Sequence, residues 1–138
     1  MKRIVLLAVI LAMMSVSVFG VYALDEERES REGEKYAYTS IVNSNITKSG
    51  KTATCKSTII AVSSVTKIVV TQKLQKKVSG KWTNVKTWSK TFNSFTATYT
   101  NIKGSLSSGA YRTRTIAKVY KNSNYESIST NSSSMIIS

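Results

Sequence analysis

The side chains best suited to ligand recognition are concentrated in residues 66–90, TKIVVTQKLQKKVSGKWTNVKTWSK. This stretch combines seven lysines with both tryptophans of the chain. Its β-branched runs flank a Ser79-Gly80 turn signal, which predicts a β-hairpin. Two strands alone bury too little apolar surface to be stable in water. We therefore expect the rest of the chain to provide a sheet against which this hairpin packs.

The register of the hairpin decides which side chains share a face. A two- or four-residue loop centred on the turn signal places Leu74 opposite Val85 and buries both. The same register sets Lys73 across from Lys86, a like-charge pair. The outward face then forms a basic-aromatic surface suited to sugar phosphates or anionic glycans. This candidate polyanion or glycan face consists of Lys73, Lys77, Trp82, Lys86 and Trp88.

Other arrangements of the hairpin remain open. A three-residue loop would place Lys86 across from Leu74, and we disfavour it because it separates Leu74 from Val85. A β-bulge would turn Trp88 inward as a core residue. The lysine stems could also lie over the indole rings, adding about 0.5–1 kcal/mol of cation–π energy per contact without any ligand. The sequence favours these structural roles over a binding site.

The chain offers few of the residues that catalysis or metal binding requires. The chain has no histidine, which removes His-based acid–base catalysis and His metal sites. Glu126 is the single acid between residues 35 and 138, so a carboxylate pair or a calcium-ligand cluster cannot be assembled there. The scattered glycines form no phosphate-binding loop. We expect a non-enzymatic protein with no cofactor and no metal.

Cys55 is the only cysteine, so the chain can form no intramolecular disulfide. A lone thiol could form an intermolecular disulfide or act as a redox nucleophile. It could also be a buried small hydrophobic residue, which cysteine often is. The alternation of Cys55 with Ala53 and Ser57 favours the buried role.

Residues 1–23 have the layout of a secretory signal peptide, with Lys2-Arg3 followed by an apolar run. Val21-Tyr22-Ala23 supplies small residues at the −3 and −1 positions, which predicts cleavage after Ala23. The alternative is an uncleaved anchor, but the apolar run is shorter than the roughly 18–20 residues that a membrane span prefers. No second run of that length follows. We expect a secreted, extracellular protein, not integral to a membrane after cleavage, that is released or associated with the cell wall.

Charge divides the remaining chain into two parts. Residues 24–35 hold six acids and little apolar content, which predicts a flexible acidic arm. From residue 35 onward, 16 Lys and Arg residues against one acid leave a charge of +15. Such a field attracts polyanions. The expected partners are anionic cell-wall polymers or an acidic protein or glycan, whereas export disfavours specific nucleic-acid recognition.

Two other functions remain open. One is a protein–protein or adhesin-like module that pairs through sheet edges or meets an acidic partner. The other is a toxin or antimicrobial protein acting on anionic membranes, which the β-rich, non-amphipathic pattern supports less well. The oligomeric state is left open by the sequence.

Short β-prone segments separated by Gly, Asn and Ser turns fill the chain after the arm. They predict seven strands, at 36–46, 52–62, 66–78, 81–90, 94–102, 110–121 and 125–131. Seven regularly spaced strands without a helical period predict an antiparallel β-sandwich as one domain over residues 36–138. Arg112, Arg114 and Lys118 share one face of the sixth strand, where we expect a solvated surface that opposes edge-to-edge pairing.

The segment Leu106-Ser-Ser-Gly109-Ala-Tyr111 resembles the tyrosine corner of immunoglobulin-type sandwiches, in which the Tyr hydroxyl bonds to upstream backbone. Thr113 stands where antibody-like members have a cysteine. The resemblance is therefore to disulfide-free immunoglobulin-like or fibronectin-III-like sandwiches.

The chain as a whole also resembles small exported proteins of Gram-positive bacteria that belong to a family of unknown function. The features that carry this likeness are the signal peptide, the acidic linker, and the hairpin with Leu74-Gln-Lys-Lys, Gly80-Lys-Trp82 and Trp88. The likeness implies secretion and a sandwich fold. It implies no activity and transfers no catalytic residue.

Overall fold

The computed structural model describes residues 36–138 and the backbone of Arg28–Glu29. Within these residues the chain forms nine strands and no helix. The strands are β1 (Arg28–Glu29), β2 (Thr39–Ser49), β3 (Thr52–Ala61), β4 (Lys67–Val78), β5 (Lys81–Phe92), β6 (Thr96–Lys103), β7 (Gly109–Lys121), β8 (Asn124–Asn131) and β9 (Met135–Ile137). The all-β prediction is confirmed, and β2 to β8 correspond to the seven predicted strands. The predicted number is too low, because β1 and β9 add to them.

Two sheets make up the fold. The larger sheet has the order β1-β8-β7-β4-β5, with β9 also paired to β7, and the smaller sheet has the order β2-β3-β6. All pairings are antiparallel except that of β1 with β8. Alternate side chains of β3 and β7 are buried, as expected where two sheets enclose a core. The predicted antiparallel, sandwich-like architecture is thus present.

The extra strand β9 continues β8 along the same edge of β7. Asn131 pairs with Arg114, and Met135 pairs with Tyr111. The three connecting residues 132–134 therefore lie opposite only two residues of β7, 112 and 113. The Ser132 backbone N–H donates to the Thr113 carbonyl, and the Ser132 hydroxyl accepts from the Thr113 N–H, both at 2.9 Å. The strand pairing to β7 is thus interrupted at residues 132–134, which explains why the sequence pattern predicts that the last strand ends near residue 131.

The core consists of two apolar clusters. One contains Ile59, Ile68, Val70 and Val119, and the other contains Cys55, Leu74, Tyr111 and Ile137. The Tyr111 hydroxyl donates to the Ser107 carbonyl at 2.7 Å, which is the hydrogen bond to upstream backbone that the sequence predicts.

A row of buried polar side chains, hereafter the polar seam, joins the two sheets across the middle of the core. Ser57 Oγ lies 2.6 Å from Thr115 Oγ1, and Thr115 Oγ1 donates to Ser44 Oγ at 2.8 Å. Gln72 Nε2 donates to Ser57 Oγ at 2.9 Å, and Gln72 Oε1 accepts from Asn101 Nδ2 at 2.9 Å. Because these groups satisfy one another, their burial is tolerated.

Glu126, the single acid of residues 36–138, holds the start of β2 against β8. Its carboxylate accepts hydrogen bonds from the Ala37 and Tyr38 N–H groups at 3.1 and 3.0 Å, and from the Thr39 hydroxyl at 2.6 Å. The carboxylate therefore has a structural position on the core side of β8, opposite Val119.

The predicted signal peptide over 1–23 lies outside the described residues. So does the predicted acidic arm over 24–35, except for the backbone of Arg28–Glu29, which pairs with Ile128 and Ser129. No helix in the described part of the chain is long and apolar enough to cross a membrane.

Candidate functional site

The turn of the β4–β5 hairpin is the predicted two-residue turn. Ser79 and Gly80 both have positive φ, at 52° and 80°, which is the backbone of a type I′ turn whose twist matches the flanking strands. Next to the turn the predicted register holds, since Lys77 pairs with Trp82 and Lys76 with Thr83.

Farther from the turn the predicted register is wrong, because a β-bulge shifts it. Gln75 pairs with Asn84, but Leu74 pairs with Lys86, which leaves Val85 as the extra residue of β5. Leu74 is fully buried as expected, whereas Val85 is 38% exposed and belongs to neither apolar cluster of the core. The expected Lys73–Lys86 pair does not form either, because Lys73 pairs with Thr87.

The bulge separates the five residues of the candidate face. Lys73, Lys77 and Trp82 lie together on the outer face of the larger sheet. Lys86 and Trp88 lie on the core side, since their partners Leu74 and Gln72 are buried. Trp88 packs against the second apolar cluster, as the alternative with a β-bulge predicts.

The register of β4 with β7 brings further cations to the outer face. Lys73 pairs with Arg114, Gln75 with Arg112, and Val69 with Lys118. The resulting surface, hereafter the cationic face, contains Lys67, Lys73, Lys77, Arg112, Arg114 and Lys118. No acidic side chain of residues 36–138 lies on it, because Glu126 is on the core side of β8.

Four of these cations lie in the half of the face nearer the hairpin turn and form a turn-end cluster: Lys73, Lys77, Arg112 and Arg114. The Arg112 guanidinium carbon lies 4.4 Å from the Trp82 ring centroid, and the Arg112 Nε donates to Gln75 Oε1 at 2.8 Å. Lys77 Nζ lies 5.8 Å from the same ring. The Trp82 ring thus holds Arg112 and Lys77 in place, and the Gln75 amide adds a second contact to Arg112.

Arg114 is fixed from the other side of β7. Its two terminal nitrogens donate to Asn131 Oδ1 at 2.9 Å and to Ser129 Oγ at 3.1 Å. It stands directly opposite Lys73, and like charges in directly opposed positions destabilise a sheet.

The remaining two cations form a far-end cluster with two tyrosines. Lys67 Nζ lies 4.3 Å from the Tyr120 ring centroid, and Lys118 Nζ lies 5.4 Å from that of Tyr125. The two rings pack with their centroids 5.0 Å apart. The sequence pattern did not indicate that Lys67, Tyr120 and Tyr125 belong to this surface. The shared parity of Arg112, Arg114 and Lys118 was a visible signal, but it did not reveal that β7 lies beside β4.

The outer face of the smaller sheet is almost uncharged. Its described side chains, by register, are Ile41, Asn43, Asn45, Thr47, Thr54, Lys56, Thr58, Ile60, Thr96, Thr98, Thr100 and Ile102. Lys56 is the single charge among them. The two outer surfaces of the fold therefore differ sharply in charge.

Cys55 faces the core and is fully buried as a free thiol, as the alternation predicts. Burial raises the pKa of the Cys55 thiol, and the nearby Thr113 hydroxyl acts in the opposite direction. A neutral, buried thiol is a poor nucleophile. Residues 36–138 contain no group of three or more His, Cys, Asp or Glu that could hold a metal ion.

No protein-family model matches this chain, and no match was found among curated proteins or among solved structures. Its function is therefore inferred from the chemistry of its surfaces.

Proposed function

We propose that this chain is an exported, non-enzymatic, immunoglobulin-like domain that binds polyanions, such as anionic cell-envelope polymers, through its cationic face. The observation that carries the proposal is the gathering of six cations on one sheet face that has no acid among residues 36–138. The opposed pair of Lys73 and Arg114 costs folding free energy, which a bound anion between them would offset.

The strand order supports the immunoglobulin-like assignment. With β2 to β8 labelled A, B, C, C′, E, F and G, the sheets become A-B-E and C′-C-F-G. Immunoglobulin-type sandwiches likewise place A, B and E on one sheet and C, F and G on the other. The Tyr111 hydroxyl bond at the start of F adds a second shared feature.

The proposed binding is electrostatic, and the arginine side chains are held in position before the anion binds. Arginine recognises phosphate and similar anions through paired N–H donors, and Arg112 and Arg114 are already fixed by Gln75 and Asn131. Less side-chain entropy is then lost when an anion binds. A non-enzymatic role is supported by the burial of Cys55 and by the structural hydrogen bonds of Glu126.

The test compares two double variants of the same hairpin. Lys73→Gln/Lys77→Gln removes two cations from the cationic face, and the matched control Lys86→Gln/Lys90→Gln removes two from the core-side face of β5. Retention of the mature protein on isolated cell walls is measured over a salt series, with and without removal of the teichoic acids.

We expect wild-type retention to fall with salt and with removal of the polymers. Because each cation near a polyanionic surface contributes about 1 kcal/mol, the first variant should bind roughly tenfold or more weakly. The control should change by much less. Retention that ignores salt, or equal losses in both variants, would contradict the proposal.

The outer face of the smaller sheet favours a second candidate function, a protein–protein module. Ile41 and Ile102 are 47% and 63% exposed on it, and no charge on that face other than Lys56 opposes an approaching partner. Sedimentation of the wild type and of Ile102→Lys would test this role. A strict monomer that binds no candidate partner protein would count against it.

A further inference from the structure

The two clusters of the cationic face lie along the same pair of strands. Lys67 and Lys77 are both on β4, ten residues apart, which corresponds to about 34 Å of strand. On β7, Lys118 and Arg114 are four residues apart, or about 14 Å. The cations therefore follow the strand direction.

Across the strands the same cations occupy a narrow width. They stand on β4 and β7, which are adjacent and so about 5 Å apart. A surface of about 34 Å by 5–10 Å fits an extended chain better than a broad planar partner.

The row between the clusters is uncharged but can donate hydrogen bonds. Thr71 pairs with Ser89 on one side and with Ile116 on the other, and the Thr71 and Ser89 hydroxyls lie 3.2 Å apart and exposed. Hydroxyls at this position can bond to phosphate oxygens or to the hydroxyls of a linking group.

Each aromatic ring on the face already has a cation over it. Arg112 and Lys77 make cation–π contacts with Trp82. Lys67 makes the same contact with Tyr120, and Lys118 with Tyr125. The rings thus position cations, which leaves recognition of the ligand to charge. Base-stacking surfaces, as used for single-stranded nucleic acids, would instead need ring faces available to the ligand.

From this geometry we infer that the ligand is an extended chain of repeating phosphates, recognised without stacking of rings, that lies along β4 and β7 and contacts both clusters at once. The inference rests on the proposed polyanion binding and adds the ligand's chemistry, direction and minimum length. A chain that reaches both clusters gains from their linkage, because the second contact becomes intramolecular.

The test uses inorganic polyphosphate, which carries no rings, at two lengths. Tripolyphosphate is too short to reach both clusters, and long-chain polyphosphate spans them. Affinity for each is measured by calorimetry for the wild type, for the far-end variant Lys67→Gln/Lys118→Gln, and for the control Lys86→Gln/Lys90→Gln. Oligothymidylate of matched charge is the ring-bearing comparison, and near-ultraviolet circular dichroism verifies that each variant is folded.

We expect long-chain polyphosphate to bind about 100-fold or more tightly than tripolyphosphate. The far-end variant should lose at least tenfold on the long chain and about twofold on tripolyphosphate, while the control loses less than threefold on either. For the long chain, six contacts predict a slope of log affinity against log salt of about −4, which becomes about −3 in the far-end variant.

Equal losses on both lengths in the far-end variant would overturn the inference, because they would mean that the clusters act separately. Tighter binding of oligothymidylate than of polyphosphate would overturn it as well. Both results would leave polyanion binding intact. The absence of any salt-dependent binding would instead contradict the proposed function itself.

Discussion

Replacing Lys73 with glutamate should stabilise the fold while weakening its binding to polyanions. Lys73 and Arg114 stand directly opposite each other on adjacent strands. At a charge separation of about 6 Å in water, two unit charges repel by about 0.7 kcal/mol, and Lys73→Glu reverses that sign. Screening at physiological salt roughly halves the change. The expected gain is about 0.5–1 kcal/mol in the free energy of unfolding.

Urea denaturation followed by tryptophan fluorescence measures this gain, and a rise in Tm of roughly 4 °C should accompany it. The gain should shrink at high salt, because the pair is partly exposed. In the same variant, the affinity for long-chain polyphosphate should fall by roughly tenfold or more, since a cation is replaced by an anion.

Lys56→Glu is the matched control, because Lys56 lies on the other sheet between Thr100 and Asn45. The free energy of unfolding of the Lys56→Glu variant and its affinity for long-chain polyphosphate should change little. A destabilised Lys73→Glu protein, or one that binds polyphosphate as the wild type does, would refute the reasoning about the opposed cations.

Three further changes test the framework. Tyr111→Phe removes the hydroxyl that donates to Ser107 and should cost about 1 kcal/mol in urea denaturation; an unchanged midpoint would contradict it. Glu126→Gln removes a charged acceptor of the Tyr38 N–H and should cost about 1–3 kcal/mol, whereas polyanion affinity should not fall. Because the pKa of Cys55 is raised by folding, the unfolded chain loses its proton first, so stability should decline above about pH 9 by up to about 1.4 kcal/mol per pH unit. Cys55→Ala should decline less over the same pH range.

The strands were predictable because local signals agree with one another. Alternation of apolar and polar residues marks β3 and β7, and Ser79-Gly80 supplies the positive φ values of the turn. Each of these signals lies within a few residues of the element that it predicts.

The bulge at Val85 was not predictable in the same way. Placing Val85 inward beside Leu74 satisfied the hydrophobic pattern, but the observed register gives the inner positions to Lys86 and Trp88. Trp88 buries more apolar surface than Val85 could, so packing against the second cluster outweighs the simpler alternation.

The cationic face depended on information that the linear pattern lacks. The pattern shows that Arg112, Arg114 and Lys118 share a side of one strand, but not which strand lies beside it. The pairing of β4 with β7 joins segments about 40 residues apart, and only this pairing places Arg114 against Lys73.

The polar seam has a consequence for strand pairing. A slip of two residues keeps every side chain on its own face, so the inside–outside alternation alone does not oppose it. In this fold such a slip of β4 would move Val70 or Leu74 into the row of hydroxyls and would carry the Gln72 amide into an apolar cluster. The polar seam therefore favours a single pairing register of β4, the one that keeps Gln72 beside the buried hydroxyls. A chain held by no disulfide can in this way reject near-native misfolded pairings.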